Sequence, residues 1–299
     1  MRVTQSMLTT GFLRNISESY ERLAKYQEQL ATGKKINRPS DDPVVAMMGM
    51  EYRSNLSQVK QYQRNLSTVY KWMDSSEAAL DEATAVLQSV RELVVQASNG
   101  TYEDKQREAI AEEIGQLKNH LASIANTKVA GKYIFNGTAT MQSPATLSNT
   151  DGDEMTEVAV NSQGGGVMIE VNHGVQIRVN VDPDKVFNQG LFDMLYQLEQ
   201  KLRNGASGED INDYIAKVDS RLNDILSVRA ELGARYNRVE MIEKRLGEQK
   251  VIATQILSDN EDVDMEKVIM NLKMQESVHR AALAVGARIM QPSLMDFLR

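Results

Sequence analysis

The residues of this chain whose types could do chemistry are two adjacent aspartates, Asp41 and Asp42, three histidines, and an acidic run from Ser258 to Asp264. Paired carboxylates can hold a metal or divide acid and base roles. Here no His or Glu stands near them in sequence, and Asp42 before Pro43 has the form of a helix N-cap followed by proline at the first helical position. His120, His173 and His279 have no partner at the i+3 or i+4 spacing that ligation on a helix uses. Ser258-Asp259-Asn260-Glu261-Asp262-Val263-Asp264 resembles a calcium loop in charge only, because Val263 occupies a ligand position and the glycine such loops need is missing. It reads as a helix break with a good cap. Gly164-Gly165-Gly166 lacks the following Lys-Ser/Thr of a phosphate cradle and reads as a flexible surface loop. The chain has no cysteine, which excludes disulfides, zinc–thiolate sites and thiol nucleophiles. The expectation is no enzyme, no cofactor and no metal site.

The elements that would position a site point elsewhere. In 299 residues there are five prolines and 16 methionines, a composition suited to long helices with adaptable seams. Residues 1–40 hold seven Lys/Arg against three Glu, and residues 265–299 five against three. With a total of −7, the middle carries −13. An acidic middle lacks the basic face that nucleic acid requires. No apolar stretch is long enough to span a bilayer, so neither a nucleic-acid partner nor membrane insertion is expected. Met1-Arg2-Val3-Thr4-Gln5-Ser6 lacks the apolar core of a secretory signal peptide.

Both ends carry an apolar stripe at coiled-coil spacing. Leu13, Ile16, Tyr20, Leu23 and Leu30 advance by threes and fours, broken at Gln27, and Val278, Ala282, Val285 and Ile289 do the same. Between them, Tyr52, Val59, Leu66, Met73, Leu80, Leu87 and Val94 recur every seventh residue. That pattern predicts one helix of more than fifty residues, about 80 Å long. A matching helix is read from Ile211 to Leu246, its seam interrupted by Arg229 and Glu243. Two such helices should pack antiparallel. Shorter helices are expected over Ile110–Ile124 and Phe187–Leu202, with capping boxes at Thr101/Asp104 and Ser207/Asp210. Between Tyr133 and Val186 the period falls to two, and Asn172-His173-Gly174 reads as a hairpin turn.

The fold class expected is mainly α with a small β insertion: a long antiparallel helical rod, terminal coiled-coil helices and an outward-projecting β domain. Its divisions are a terminal assembly domain at 1–42 and 262–299, a rod at 43–136 and 186–261, and a β-rich insertion at 137–185. Each terminal seam is covered only partly by a lone subunit, and both ends are net positive. Residues 1–40 and 265–299 are therefore expected to be mobile in the free monomer and to order on assembly.

The run Lys25-Tyr26-Gln27-Glu28-Gln29-Leu30-Ala31-Thr32-Gly33-Lys34-Lys35-Ile36, followed by Pro39-Ser40-Asp41-Asp42-Pro43, resembles the N-terminal signature of the bacterial flagellin superfamily. Its particular form is similar to the hook-associated, junction-forming branch, since flagellins usually continue Asp-Asp-Ala-Ala-Gly where this chain has Asp41-Asp42-Pro43-Val44-Val45. The ending Ser293-Leu294-Met295-Asp296-Phe297-Leu298-Arg299 is similar to the C-termini of that group, which adds Leu294 and Leu298 to the expected interface. Pro39, Asp41, Asp42 and Pro43 form its helix break and cap.

The resemblance implies paired terminal helices lining an axial channel and a junction layer made of copies of the chain. The implied partners are itself, the preceding hook-associated protein, flagellin, and an export chaperone on the C-terminal helix. It also implies export without a cleaved signal to the extracellular flagellum. The alternatives are a flagellin filament subunit, or a secreted adhesin or effector acting through the β insertion.

Overall fold

The computed structural model describes residues 5–99, 104–149, 156–162 and 164–289. In chain order the elements are α1 (Gln5–Thr32), α2 (Pro43–Ala97), α3 (Asp104–Ala125), β1 (Lys128–Val129), β2 (Lys132–Tyr133), β3 (Ala145–Asn149), β4 (Thr156–Val160), β5 (Met168–Asn172), β6 (Val175–Arg178), α4 (Pro183–Val186), α5 (Gln189–Arg203), α6 (Gly208–Glu261) and α7 (Met265–Ile289). They fall into two compact units, residues 59–248 and the pair of segments 1–58 and 249–299.

In the unit 59–248, α2 and α6 run antiparallel. Gly208 faces Ser98, Asp219 bonds Arg91, Arg229 bonds Glu77, and Glu243 accepts from Tyr70, so rising numbers on one helix meet falling numbers on the other. The heptad positions Leu66, Met73, Leu80, Leu87 and Val94 are buried, as are Ile211, Val218, Ile225, Leu232, Val239 and Leu246 on the opposing helix. Packing of these stripes supplies most of the stability that two long helices lack alone. The seam interruptions are polar contacts across the pair. Arg229 lies 2.6 Å from Glu77 and 2.9 Å from Asp81, and the Tyr70 hydroxyl donates to Glu243 at 2.7 Å. Burial and the Glu243 carboxylate keep the Tyr70 phenol protonated far above its usual range.

Helices α3 and α5 share the buried core of this pair and meet each other, with the buried Lys118–Glu199 ion pair between them at 2.7 Å. Asn188 caps α5, its side chain accepting from the Leu191 amide at 2.9 Å, so Phe187 lies just ahead of the helix and packs edge-on against Phe135. At α6 the Ser207 hydroxyl accepts from the Asp210 amide and donates to its carboxylate. The Thr101/Asp104 box lies outside the described residues at Thr101.

Among the described residues the β segment is three separate two-stranded hairpins. The expected one, β5–β6, turns at His173-Gly174 with Gly174 at φ +69°. Sequence periodicity does not reveal the other two. β1–β2 is too short to show a period, and Ala130 and Gly131, at φ 50° and 80°, make its tight turn. Ala145, Val158, Val171 and Ile177 belong to the same core as the helices, so the hairpins share that core. The triple-glycine loop is tied down: the buried Asn180 donates to the Gly165 carbonyl at 2.9 Å and accepts from the Val167 amide at 2.8 Å.

Candidate functional site

Among the described residues no group of three His, Asp or Glu could hold a metal ion, and no helix is long and apolar enough to cross a membrane. Of the histidines, His120 pairs with Glu82 at 3.0 Å, His173 lies in the β5–β6 turn, and His279 lies between the two terminal helices. The unit 1–58 with 249–299 is where the surface departs from ordinary. Among the described residues, most of the exposed large apolar side chains lie there, whereas Val268 and Leu272 are its buried apolar side chains. An exposed apolar surface of that extent marks an interaction site.

Helices α1 and α7 form an antiparallel pair. On α1 the more buried positions are Phe12, Ile16, Ser19, Leu23, Tyr26 and Leu30; on α7 they are Val268, Leu272, Gln275, His279, Ala282 and Gly286. Both sets advance by alternate fours and threes, the spacing of a coiled-coil seam. Gly286 fits the Phe12 ring: a Cβ there would stand 1.9 Å from Phe12 Cζ. Seven residues on, the Ser19 hydroxyl lies 3.2 Å from His279 Nδ1 and accepts from Gln275 at 3.0 Å, while the Tyr20 ring meets His279 edge-on. A polar layer inside an apolar seam fixes register, because a slipped pairing would leave these groups without partners.

The expected stripe residues divide between two faces. Ile16, Leu23, Leu30 and Ala282 lie in the seam. Leu13, 56% exposed, and Val278 and Val285, 52% and 54% exposed, face away from it, while Tyr20, 64% exposed, lies at its edge with its ring against His279. On α7 the exposed face also carries Met270 and Met274. Ile289 closes α7, its side chain outside the described residues, as are Leu294 and Leu298.

The helix break is a second built feature. Asp42 caps α2, accepting from the Val44 and Val45 amides at 3.0 and 3.2 Å, and Pro43 opens the helix. Asp41 accepts from the Arg38 and Asn37 amides at 3.1 and 3.3 Å, and those bonds hold its carboxyl below the usual range. Pro39 lies exposed in the turn between them. The acidic run ends α6 at Glu261, and Asp264 caps α7 by accepting from Lys267.

The sequence reading missed how these two breaks interlock. The Lys35 amide donates to the Glu261 carbonyl at 2.7 Å and the Val263 amide to the Gly33 carbonyl at 3.0 Å. Lys34 lies 2.6 Å from Asp262 and 3.4 Å from Glu261. The Lys34–Asp262 bond raises the lysine and, with Ser258, lowers the aspartate. A faint signal was Gly49, a glycine inside a helix, where it lowers stability and so needs a reason; a Cβ there would stand 2.6 Å from Glu261 Oε1.

The sequence matches two family models: the bacterial flagellin N-terminal helical region over residues 3–140 and the bacterial flagellin C-terminal helical region over residues 215–298. Flagellar hook-associated protein 3 of Escherichia coli is 28% identical over 94% of this chain and 95% of its own length. The protein of the same name from Salmonella typhimurium is 27% identical over the full length of both. In fold, the chain is similar to a putative flagellar hook-associated protein of Vibrio parahaemolyticus, with a TM-score of 0.66 at 20% identity, over 74% of this chain and all of that one. Matched at both ends by helical regions that the structure pairs antiparallel, the chain belongs to the bacterial flagellin family of flagellar structural proteins.

Proposed function

We propose that this chain forms the layer joining the hook to the filament, with the terminal helices as its working surface. The carrying observation is the concentration of exposed apolar side chains in the unit that holds both termini. The assembly interface is Leu13, Val278 and Val285 on the outer faces and Tyr20 at the edge of the seam, with Ile16, Leu23, Leu30 and Ala282 holding the pair together, and Ile289, Leu294 and Leu298 continuing it. Residues 1–42 and 262–299 act as the assembly domain, 43–136 and 186–261 as the helical support, and 137–185 as the insertion. The neighbours are further copies, the preceding hook-associated protein on one side and flagellin on the other. An export chaperone covers the C-terminal helix beforehand, and the chain reaches the outside without a cleaved signal. The role is structural, not catalytic.

Electron microscopy of hook tips from cells lacking the protein tests this: bare hooks are expected, and normally attached filaments would refute it. A filament-subunit role predicts long growth from seeds, where a junction subunit adds one layer and stops. An adhesin role predicts that Ser at the exposed Met141, Leu147 and Met168 abolishes function, whereas the junction should tolerate all three.

A further inference from the structure

We propose that Glu261 is the positioning residue that makes the N- and C-terminal helices open and close as one unit. The inference rests on the reading of those helices as the assembly surface, and concerns how that surface is held ready.

Glu261 is 4% exposed, at the last turn of α6. A buried carboxylate is strongly unfavourable unless its oxygens are paired. Arg53 on α2 takes both, Nε lying 2.8 Å from Oε1 and Nη2 donating to Oε2 at 2.9 Å. Lys34, on the segment leaving α1, stands 3.4 Å from the same Oε2. The Glu261 carbonyl accepts the Lys35 amide, so main chain and side chain of one residue grip the N-terminal linker. On the next residues Asp262 pairs with Lys34, and Val263 bonds Gly33.

Room for the carboxylate comes from Gly49, where a Cβ would lie 2.6 Å from Oε1. Asn260 adds a bond to the Val45 carbonyl at 3.1 Å. Glu261 is thus where the end of α6 meets both α2, through Arg53 and Gly49, and the linker that leaves α1. Were the α1–α7 seam sufficient, loss of the carboxylate charge would leave α1 undisturbed. With the clamp as the common tie, Glu261→Gln removes the side-chain ion pairs with Arg53 and Lys34, weakens the hold on both linkers, and loosens α1 although those two partners lie outside it.

The test is amide hydrogen exchange on the isolated full-length chain, which needs no flagellar partner. Failure here is therefore distinguishable from failure of the junction reading, which microscopy decides. In the unsubstituted chain α1 and α7 are expected to show matching protection. Arg53 and Lys34 are partly solvated, so Glu261→Gln should lower protection about tenfold. The fall should be equal in residues 5–32 and 265–289, with residues 59–248 unchanged. Gly49→Ala, which crowds the carboxylate from the opposite helix, should give the same paired loss, and Arg53→Lys a smaller one. Loss confined to α7, loss spread through 59–248, or absence of protection in both unsubstituted helices would each overturn the proposal.

Discussion

Val278→Thr with Val285→Thr separates a surface that folds the chain from one that joins it to others. Threonine matches valine in shape and β-branching, and both positions are about half exposed on the face of α7 turned away from α1. In the free chain the new hydroxyls stay in water, so helix α7 and its seam should be intact. When a neighbour covers that face, each hydroxyl is buried without a partner, at about 1–3 kcal/mol. The pair should therefore weaken association by at least about 2 kcal/mol, roughly 30-fold. Leu80→Ala is the contrast: Leu80 is fully buried between α2 and α6, and its loss should cost about 2–5 kcal/mol of folding stability. The assay is a thermal melt of the free chain beside a count of hooks bearing filaments in complemented cells. The double threonine variant should melt with the parent and fail to attach filaments. A lowered melting temperature comparable to that of Leu80→Ala, or normal attachment, would refute the division of α7 into an inner and an outer face.

Gly208→Ala should destabilise by about 1–3 kcal/mol, because its Cβ would stand 2.5 Å from the Ser98 carbonyl oxygen, whereas Gly247→Ala, with open space around it, should be neutral or stabilising in the same urea titration. Lys118→Met takes from the buried Glu199 its partner at 2.7 Å, leaving Arg203 at 3.4 Å, and should cost about 3–5 kcal/mol, most of it regained in Lys118→Met with Glu199→Leu when both are melted side by side. Asp262 is held below its ordinary pKa, so its contribution is present above that value and lost as pH falls through the lowered one. Lys34 is raised, so its contribution is present below the ordinary lysine value and lost as pH rises through the raised one. The Lys35 and Val263 amide resonances should therefore stay constant through neutral pH and shift at both extremes; a step near pH 7 would contradict the assignment.

The long seam was legible because burial leaves a period: every seventh residue from Leu66 to Val94 is buried, and the two breaks in the α6 pattern, Arg229 and Glu243, are cross-helix polar contacts. The terminal stripes were legible only as apolar. Leu13 and Tyr20 lie one position from Phe12 and Ser19, and two adjacent columns on a helix cannot be ranked by hydropathy when a polar layer, Ser19 with His279, occupies the inner one. The clamp left almost no local trace, since Lys34 and Asp262 are 228 residues apart. For the ends, the expectation of mobility narrows: the α1–α7 pair gives them a partner within the chain, so opening should be a low-energy local event rather than the resting state.

The closing contact between Lys34 and Asp262 also sets an order in time. Joining two points 228 residues apart in an unfolded chain costs roughly 5 kcal/mol of loop entropy by the logarithmic law. Once α2 and α6 have zipped antiparallel, that separation has already been bridged, and the same contact closes a span of a few residues. The adhesive surface should thus mature last, after the supporting helices are secure, which shortens the time a half-folded chain spends with sticky ends displayed.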